Sequence, residues 1–568
     1  MADLPPWAVE MRDLFRSGSV AQFLLHGNVF DVVPHGQKLL PLKQYLDEVM
    51  FGSYDVILHY DRGKGIRLSR GSDDFSQWLS DVAGDDDARK LAALREPGKV
   101  LDLIDRYILR SLNLRAVGGQ TLRIAIVIDF AEFVVPAGQA LQLGGEFAGN
   151  IVKLLSWAND PAILQANIAT VCITENLHDL NELIVENPHT AKLKIELPDE
   201  NDMREYLQML QQTTFPDLPQ QSEVPIDVLA RRLTGLSRVG ARTLISMALR
   251  NEKRLTRAWL TRTKKQMIER ETQGLLEFIE SPFTLDMVAG HDAVKAWLRE
   301  DAKLLHEGKL HALPMGYLIT GRIGTGKTFI VNCWAGELGI PCVVLKNFRD
   351  RWVGATESNL EKIFTILRAL GQVVVFVDEA DQMTGRRGGG DGDSGLSGRV
   401  YAALAKEMSD TRNRGKVIWV FATSRPDLLE VDLKRQGRLD VHIPLFAPQT
   451  PQEMQDLLLA IAGKMKFPLS REDLPDLAGV ELGGNEIEGV LVRAMRTYEL
   501  ACDPKPPLKQ LLAEAFAAVR PSAHTRQLEY MDLIAVKECT DARFLPEHYR
   551  QMPPEEIEGR IEALRRFV

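Results

Sequence analysis

Apolar runs that end in polar residues recur along the second half of the chain. Residues 316–320 lead into a glycine-rich segment, residues 373–377 are followed by two acids, and residues 417–423 are followed by a serine. Such runs are typical of strands that are buried on both faces of a parallel sheet. The pattern predicts an α/β fold in which the carboxyl ends of the strands carry the polar side chains.

The first half of the chain contains related runs. The run that ends at Asp129 resembles the run that ends at Asp378, 249 positions later. Thr174 and Thr423 close a second matching pair of runs at the same distance of 249 positions. Because a duplicated domain leaves a shared offset of this kind, residues 1 to about 275 are predicted to form a second, similar module.

The segment Gly-Arg-Ile-Gly-Thr-Gly-Lys-Thr at 321–328 fits G-x-x-x-x-G-K-[ST] without a mismatch. In such a loop, backbone N–H groups turn around phosphate oxygens, so Lys327 can reach the β and γ phosphates and Thr328 can offer its hydroxyl to Mg²⁺. The alternative is a strand-to-helix turn that binds nothing. The order of strand, loop and helix, with an acidic pair downstream, favours a site for a nucleoside triphosphate.

The acidic pair is Asp378 and Glu379, about fifty residues after the loop. We expect Asp378 to hold the Mg²⁺ shell and Glu379 to polarise the attacking water, because phosphoryl transfer depends mainly on positioning and charge stabilisation. The two acids could instead cap the N-terminus of a helix. That alternative leaves their spacing from the loop unexplained.

Composition limits the remaining possibilities. The chain has 568 residues, 45% of them apolar, a net charge of -9 and a pI near 5.8. This apolar content suffices for several cores, and the acidic charge argues against non-specific binding to nucleic acid or an anionic membrane. We expect a cytoplasmic protein, because no basic and apolar leader and no apolar run near eighteen residues stands out. The five cysteines are scattered, which suits buried thiols in a reducing compartment.

From Phe283 to about Met495, the order of motifs resembles the AAA family within the AAA+ ATPases. The resemblance implies a P-loop NTPase (AAA+) α/β fold, a parallel sheet with a helical lid, preceded by a degenerate AAA-like α/β domain with its own lid. ATP and Mg²⁺ are the implied cofactors, with the metal at Thr328 and Asp378. The residues implied to bind the nucleotide are Ala289, Gly290, Gly321, Arg322, Ile323, Gly324, Thr325, Gly326, Lys327 and Thr328.

Trp352, Val353 and Gly354 are similar to the pore loop of the family. In the family, the aromatic residue lines a central channel and grips an unfolded polypeptide, so the resemblance assigns these three residues to substrate gripping. The alternative is that Trp352 belongs to a core, as most tryptophans do. Arg349 and Arg351 precede Trp352 and Gly354 follows it, which suits the tip of a loop.

Three further residues complete the implied catalytic set with Asp378 and Glu379. Ser424 stands where the family usually has a sensing asparagine, and its hydroxyl has a shorter reach than an amide. Arg435 and Arg438 resemble arginine fingers, which would reach the γ-phosphate of a neighbouring subunit. Action in trans requires a ring, a hexamer by resemblance. The alternative is that both arginines are solvated surface residues.

A glycine-rich stretch follows the acidic pair at 385–398. Ordering so many glycines is unfavourable, so we expect a mobile loop. By its position it is either a second pore loop or an inert connection.

The first module lacks the chemistry of the second. Residues 23–30 could form its first strand and turn, but no G-K-[ST] follows, and Phe130 replaces the glutamate base. Glu186 and His189 stand at the offset positions of the two finger arginines. We therefore predict a non-hydrolysing scaffold or partner-docking platform. The alternative is an unrelated α/β domain that binds another small ligand.

The two-part layout is similar to a group of bacterial and plastid AAA proteins whose role is poorly defined. The predicted domains are a degenerate AAA-like domain at 1–199, its lid and linker at 200–275, an active AAA domain at 276–450, a lid at 451–503 and a tail at 504–568.

The predicted function is ATP hydrolysis by a ring of identical chains that remodels or unfolds a protein or protein complex through the aromatic pore loop. One alternative is a slow nucleotide-controlled assembly or regulatory switch. Another is a nucleic-acid motor or loader, which the acidic pI disfavours. The expected partners are a protein substrate and further copies of the chain, without a membrane.

Overall fold

The computed structural model describes residues 4–116, 122–138, 144–250, 254–272, 274–346, 356–384, 394–477, 482–502, 505–519 and 524–567. The chain divides into two compact units. The first consists of Met1–Met267 with Glu357–Ala369, and the second of Ile268–Thr356 with Leu370–Val568.

The strands in chain order are β1 (Gln22–Gly27), β2 (Val32–His35), β3 (Lys38–Pro41), β4 (Val56–Asp61), β5 (Gly65–Arg70), β6 (Ile124–Asp129), β7 (Ile168–Ile173), β8 (Thr190–Ile195), β9 (Leu276–Phe278), β10 (Gly316–Thr320), β11 (Cys342–Leu345), β12 (Val373–Val377), β13 (Val417–Thr423) and β14 (Val441–Pro444).

The helices up to the second sheet are α1 (Pro6–Arg16), α2 (Leu42–Tyr45), α3 (Ser72–Ala83), α4 (Asp85–Ala92), α5 (Pro97–Ala116), α6 (Gly145–Asn159), α7 (Pro161–Gln165), α8 (Glu182–Val185), α9 (Glu200–Thr213), α10 (Leu218–Gln221), α11 (Ile226–Leu233), α12 (Arg238–Arg250), α13 (Arg257–Glu271) and α14 (Asp292–His306).

The remaining helices are α15 (Lys327–Leu338), α16 (Thr356–Leu370), α17 (Ala380–Thr384), α18 (Ser394–Met408), α19 (Pro451–Lys464), α20 (Gly484–Leu500), α21 (Leu508–Ala517), α22 (Thr525–Glu538), α23 (Glu547–Gln551) and α24 (Pro554–Arg565).

The five parallel strands of the two sheets share one topology, whereas the antiparallel edge strand follows its neighbour β4 in the first unit and precedes the parallel strands in the second. The order is β5-β4-β6-β7-β1-β8 in the first unit and β9-β11-β12-β13-β10-β14 in the second. In each sheet the edge strand β5 or β9 pairs antiparallel, and the other pairings are parallel. The central strands β6, β7, β10, β12 and β13 are buried along their whole length, which explains their continuous apolar sequences. The predicted fold class is confirmed.

A backbone feature also repeats between the two sheets. Phe130 follows β6 with φ of 52°, and Glu379, two residues after β12, has φ of 48°. Non-glycine residues seldom adopt positive φ, so the same conformation at matching places is a specific likeness. It supports the duplication that the shared offset predicts.

Helices cover the second sheet and extend beyond it. Trp334 of α15 is 2% exposed, and its indole N–H donates to the Leu298 carbonyl of α14 over 3.0 Å. Beyond β14, helices α19, α20 and α21 share an apolar core that includes Leu458, Leu491 and Leu512. Helices α22 and α24 instead pack with Phe446, two residues after β14.

Within the described ranges, we find no helix that is both long and apolar enough to cross a membrane.

Candidate functional site

Three neighbouring strands of the second unit deliver the predicted site residues to one edge of the sheet. Strand β13 lies between β10 and β12 and is parallel to both. The phosphate loop follows β10, Ser424 follows β13, and Asp378 follows β12. Ligands of open parallel sheets bind at this carboxyl edge.

The backbone of the phosphate loop depends on glycine at both ends. Gly321 has φ of 140°, and a Cβ there would lie 2.1 Å from the Leu445 carbonyl oxygen, so a side chain would not fit. Gly326 precedes α15 with φ of 84°, in the left-handed region. The first N–H groups of α15 therefore face the loop, where they form a site for anionic groups.

Lys327 begins α15 and reaches back across the loop. Its ammonium donates to the Gly321 and Arg322 carbonyls and to Ser424 Oγ, each over 2.9 Å. Burial lowers the pKa of Lys327 to about 8, against the charges of nearby Asp378 and Asp381. The lysine that is predicted to bind phosphate thus lies beside the residue that is predicted to sense it.

Thr328, Asp378 and Glu379 form the metal side of the site. Thr328 Oγ1 donates to Asp378 Oδ2 over 2.8 Å, and the Glu379 N–H donates to Asp378 Oδ1 over 2.9 Å. A hydroxyl beside a carboxylate is a hard oxygen donor set, which suits Mg²⁺ completed by water and phosphate oxygens. The Glu379 side chain is exposed, so water can reach it.

A cavity of about 440 Å³ adjoins the phosphate loop in this unit. Ala289 and Gly290, the residues expected against adenine, line it together with Gly324 and the lid residue Asn485. The Gly484 N–H at the start of α20 donates to the Gly324 carbonyl over 2.9 Å. The entry segment, the phosphate loop and the lid therefore meet around one cavity of a size suited to a nucleotide base and sugar.

The two finger candidates lie elsewhere. Arg438 Nη1 donates to the Asp432 carbonyl over 2.7 Å, and Arg435, 72% exposed, pairs with Asp432 over 3.2 Å. The Asp440 N–H donates to the Gly316 carbonyl, which places the segment that contains both arginines beside the first residue of β10. Five residues of strand, or about 16 Å, separate that residue from the phosphate loop. Both finger candidates therefore lie near the amino edge of the sheet, opposite the phosphate loop of the same chain.

Trp352, Val353 and Gly354 lie outside the described residues, so their role in the pore stays a prediction. Much of the predicted glycine-rich loop at 385–398 also lies outside them. Its last part corrects that prediction: α18 begins at Ser394, so residues 394–398 are helical. The helical periodicity that continues to Met408 outweighs the local glycines.

Sequence reasoning missed the contribution of residues 524–567. Residues 543–547 line the same cavity as Gly290. Asp532 of α22 forms an ion pair with Arg322 of the phosphate loop, with Nη1 and Oδ2 3.5 Å apart. An arginine inside the loop is the only sequence signal for this contact, and it does not indicate an acid 210 residues away.

The corresponding edge of the first unit carries different chemistry. Asp129, the counterpart of Asp378, is 2% exposed and pairs with Lys43 Nζ over 2.7 Å. Phe130 stands in place of Glu379, with Lys43 Nζ 5.8 Å from its ring centroid. This carboxylate therefore pairs with a lysine ammonium, whereas its counterpart in the second unit accepts a threonine hydroxyl.

The lid of the first unit is attached by a buried carboxylate. Asp31, in the loop after β1, accepts the N–H groups of Arg238 and Val239 at the start of α12 over 2.8 and 2.9 Å. Its side chain is 3% exposed, and Asn28 Nδ2 donates to it over 2.9 Å. An acid at a helix N-terminus is favoured by capping and by the helix dipole. At the start of α20 in the second unit, the Gly484 N–H instead donates to the Gly324 backbone carbonyl.

Three family models match the chain in order. Residues 1–196 match the N-terminal Rossmann-like domain of AAA+ chaperones, and residues 203–273 match their second helical domain. Residues 317–446 match the ATPase family associated with various cellular activities, AAA. The chain belongs to the AAA+ proteins: it carries an AAA ATPase domain preceded by two AAA+ chaperone domains.

Curated relatives agree with this assignment. The chain is 30% identical over 226 residues to the ATP-dependent zinc metalloprotease FtsH of Aster yellows witches'-broom phytoplasma, covering 38% of this chain and 33% of that protein. It is 31% identical over 235 residues to the cell division cycle protein 48 homolog of Archaeoglobus fulgidus, covering 38% and 32%. The similarity thus spans about a third of the length of these relatives.

Proposed function

We propose that this chain hydrolyses ATP in a ring of identical subunits and uses the reaction to remodel or unfold a protein. The observation that carries the catalytic part is the joining of Lys327 to Ser424 and of Thr328 to Asp378 at one sheet edge. These contacts support the assignment of the phosphate-binding, metal-binding and sensing roles to one site. The likeness to AAA+ chaperone domains supports a protein as the substrate.

Each residue has a defined role in this proposal. Lys327 and the N-terminus of α15 bind the phosphates, and Thr328 and Asp378 hold Mg²⁺, which would neutralise charge on the β and γ phosphates. Glu379 accepts the proton of the attacking water, and Ser424 donates to the γ-phosphate region. Placing these groups before reaction supplies most of the expected rate enhancement.

The hydrolysing site would be completed by a neighbouring subunit. Arg435 and Arg438 lie at the sheet edge opposite their own phosphate loop, so they suit a neighbour's site better than their own. The exposed Arg435 is the better candidate to touch the γ-phosphate, whereas Arg438 shapes the segment through Asp432. An arginine supplied in trans can raise the rate by about 10³ to 10⁵.

A mixing experiment tests trans catalysis. Arg435→Ala rings and Glu379→Gln rings should each be inactive, and their mixture should recover turnover at interfaces that pair an intact base with an intact finger. Arg412→Ala removes another exposed arginine that is paired with an aspartate and serves as the matched control, with wild-type turnover expected. A mixture that stays inactive although mixed rings form would refute the trans assignment.

Remodelling is tested through Trp352. A tagged fluorescent protein presented to the ring with ATP should lose its fluorescence as it unfolds. Trp352→Ala should abolish this loss while ATP turnover persists. Unfolding by that variant at the wild-type rate would remove the pore loop from the proposal.

A slow assembly switch is the second candidate. The observation that favours it is the short serine at position 424, already engaged by Lys327. In that case turnover would be low and unaffected by any polypeptide, and the oligomer would form with ATP and separate after hydrolysis. Polypeptide-stimulated turnover would exclude it.

We propose that the first unit is a non-hydrolysing scaffold. Lys43 pairs with Asp129, and Asp31 accepts the first N–H groups of its lid helix, so both carboxylates already have a partner within the unit. A cavity of about 330 Å³ beside Phe30 and Phe130 keeps open the alternative of another small ligand. Isothermal titration of Lys327→Ala with ATP should show no residual site.

A further inference from the structure

Helix α22 contacts two parts of the second unit, the phosphate loop and the segment 432–440 that carries the finger candidates. It packs along β14, where Leu533 and Ile534 share an apolar cluster with Phe446. The carboxyl end of β14 lies beside Thr320, just before the phosphate loop. The amino end of β14 directly follows residues 432–440, which carry the two finger candidates and are called the finger segment below. The helix therefore lies against the whole path from one functional segment to the other.

At the phosphate loop, the contact is Asp532 with Arg322. Asp532 is 8% exposed, the side chain of Arg322 is 16% exposed, and Arg322 Nη1 lies 3.5 Å from Asp532 Oδ2. Asp532 Oδ1 has no hydrogen-bond partner within the described part of the chain. Burial raises the pKa of Asp532 to about 6, although the charges of Arg322 and Lys327 oppose the rise. A carboxylate so poorly compensated is kept at a cost in stability, which indicates a use other than stability.

At the finger segment, the contact is Glu538 with Lys434. The Lys434 ammonium donates to Glu538 and, over 3.0 Å, to the Pro426 carbonyl. The side chains are 12% and 21% exposed, so the pair is shielded from salt. Just beyond the helix, Thr540 Oγ1 accepts the His442 N–H over 2.9 Å and fixes this end to β14.

We propose that Asp532 and Glu538 are positioning residues for the ATPase reaction: Asp532 holds the phosphate loop of its own site through Arg322, and Glu538 holds the finger segment through Lys434. This inference rests on the proposed function, in which the loop binds ATP in cis and the fingers act in trans. Helix α22 thereby fixes the two segments relative to each other.

Single substitutions should separate the two ends. In the full-length protein, Asp532→Asn should raise the KM for ATP about tenfold, and Glu538→Gln should lower kcat about tenfold with little change in KM. Glu558→Gln removes a carboxylate from an exposed pair with Lys537 of α22 and is the matched control. It should leave both constants at wild-type values.

Mixed rings provide the decisive comparison. With Glu379→Gln subunits, Glu538→Gln should regain turnover, because its intact base then meets a well-placed finger. Asp532→Asn should not regain it, because its defect lies in its own loop. Recovery by both variants, or only by Asp532→Asn, would overturn the assignment.

Hydrogen exchange measured without nucleotide tests whether the two residues position their segments, independently of ATP hydrolysis. Asp532→Asn should accelerate exchange at residues 321–330 at least fivefold, and Glu538→Gln should do so at residues 431–438. If Asp532→Asn does not fold, Arg322→Gln breaks the same pair from the loop side, and Lys434→Met does so for Glu538. Exchange unchanged from wild type at both segments would refute positioning, whereas an inactive wild type with these exchange effects would refute only the proposed function.

Discussion

Replacement of Asp31 by alanine should release the lid helix of the first unit. The buried carboxylate accepts two backbone N–H groups at the start of α12, and among the described residues no other side chain accepts from either group. Its loss leaves both groups without an acceptor in a site that water reaches poorly. The first turn of α12 should therefore open more often.

The size of the effect follows from these contacts. A hydrogen bond to a charged group contributes about 1.5–3 kcal/mol, and loss of an N-cap costs about 1 kcal/mol. The contributions overlap, and Ser237 Oγ still accepts the Gly240 N–H over 3.0 Å in the variant. We expect local opening of α12 to become easier by about 3 kcal/mol, which corresponds to a roughly 150-fold increase in amide exchange.

Hydrogen exchange measured by mass spectrometry on the full-length protein resolves this change. The matched control is Asp199→Ala, which removes an exposed N-cap from α9, where Asp199 accepts the Asp202 N–H over 2.8 Å. In that variant, exchange should accelerate only near the start of α9, where the free energy of local opening should fall by about 1 kcal/mol. ATP should slow exchange at the start of α20 in wild type and leave α12 unchanged.

Two results would refute the reasoning. Exchange at residues 238–250 in Asp31→Ala within fivefold of wild type would mean that the carboxylate does not fix the lid. Protection of α12 by ATP in wild type would mean that the first unit responds to nucleotide after all.

Three further predictions concern the second unit. Lys327→Ala should abolish ATP binding measured by isothermal titration, because the β and γ phosphates lose their ammonium partner; wild-type affinity would exclude this loop as the site. Glu379→Gln should bind ATP normally but hydrolyse it at least 100-fold more slowly in a phosphate-release assay, since the amide cannot accept the proton of water; normal turnover would place the base elsewhere. Burial raises the pKa of Asp532 from 3.8 to about 6. The protonated form is therefore favoured on folding, and this stability, about 3 kcal/mol, is full below pH 3.8 and lost as pH rises through 6. Asp532→Asn should consequently raise the melting temperature at pH 7.5 and raise it less at pH 5; equal gains at both pH values would contradict the assigned ionisation.

The parallel core of both units could be predicted because its strands are buried on both faces. Strands such as β6 and β12 are almost wholly apolar and end at an acid, so their sequences specify both the sheet and its functional edge. The phosphate loop could be predicted equally well, because Gly321 and Gly326 occupy conformations that other residues adopt with difficulty. Local sequence determined these features.

Contacts made at long range could not be predicted in the same way. Lys43 comes from the short helix α2 after a hairpin, and its pairing with Asp129 depends on how that hairpin packs. The pair Arg322 and Asp532 joins residues that are far apart in the sequence of the second unit. Neither pairing leaves a periodicity or spacing in the sequence, because a single ion pair requires only two compatible charges.

The treatment of buried charge distinguishes the two modules more clearly than their motifs do. In the second unit, burial lowers the pKa of Lys327 from 10.5 to about 8, which costs the folded protein about 3 kcal/mol at neutral pH. A triphosphate would supply the missing negative charge, so part of that cost returns as binding free energy and as selectivity for a highly charged ligand. In the first unit, the ammonium of Lys43 and the start of α12 already meet the carboxylates of Asp129 and Asp31. Burial still raises the pKa of Asp129, and Lys43 only opposes that rise, so pairing within the module replaces part of what a bound metal would contribute. We therefore expect that restoring a G-K-[ST] sequence alone would not restore ATP binding in the first module, because Lys43 would still be paired with Asp129.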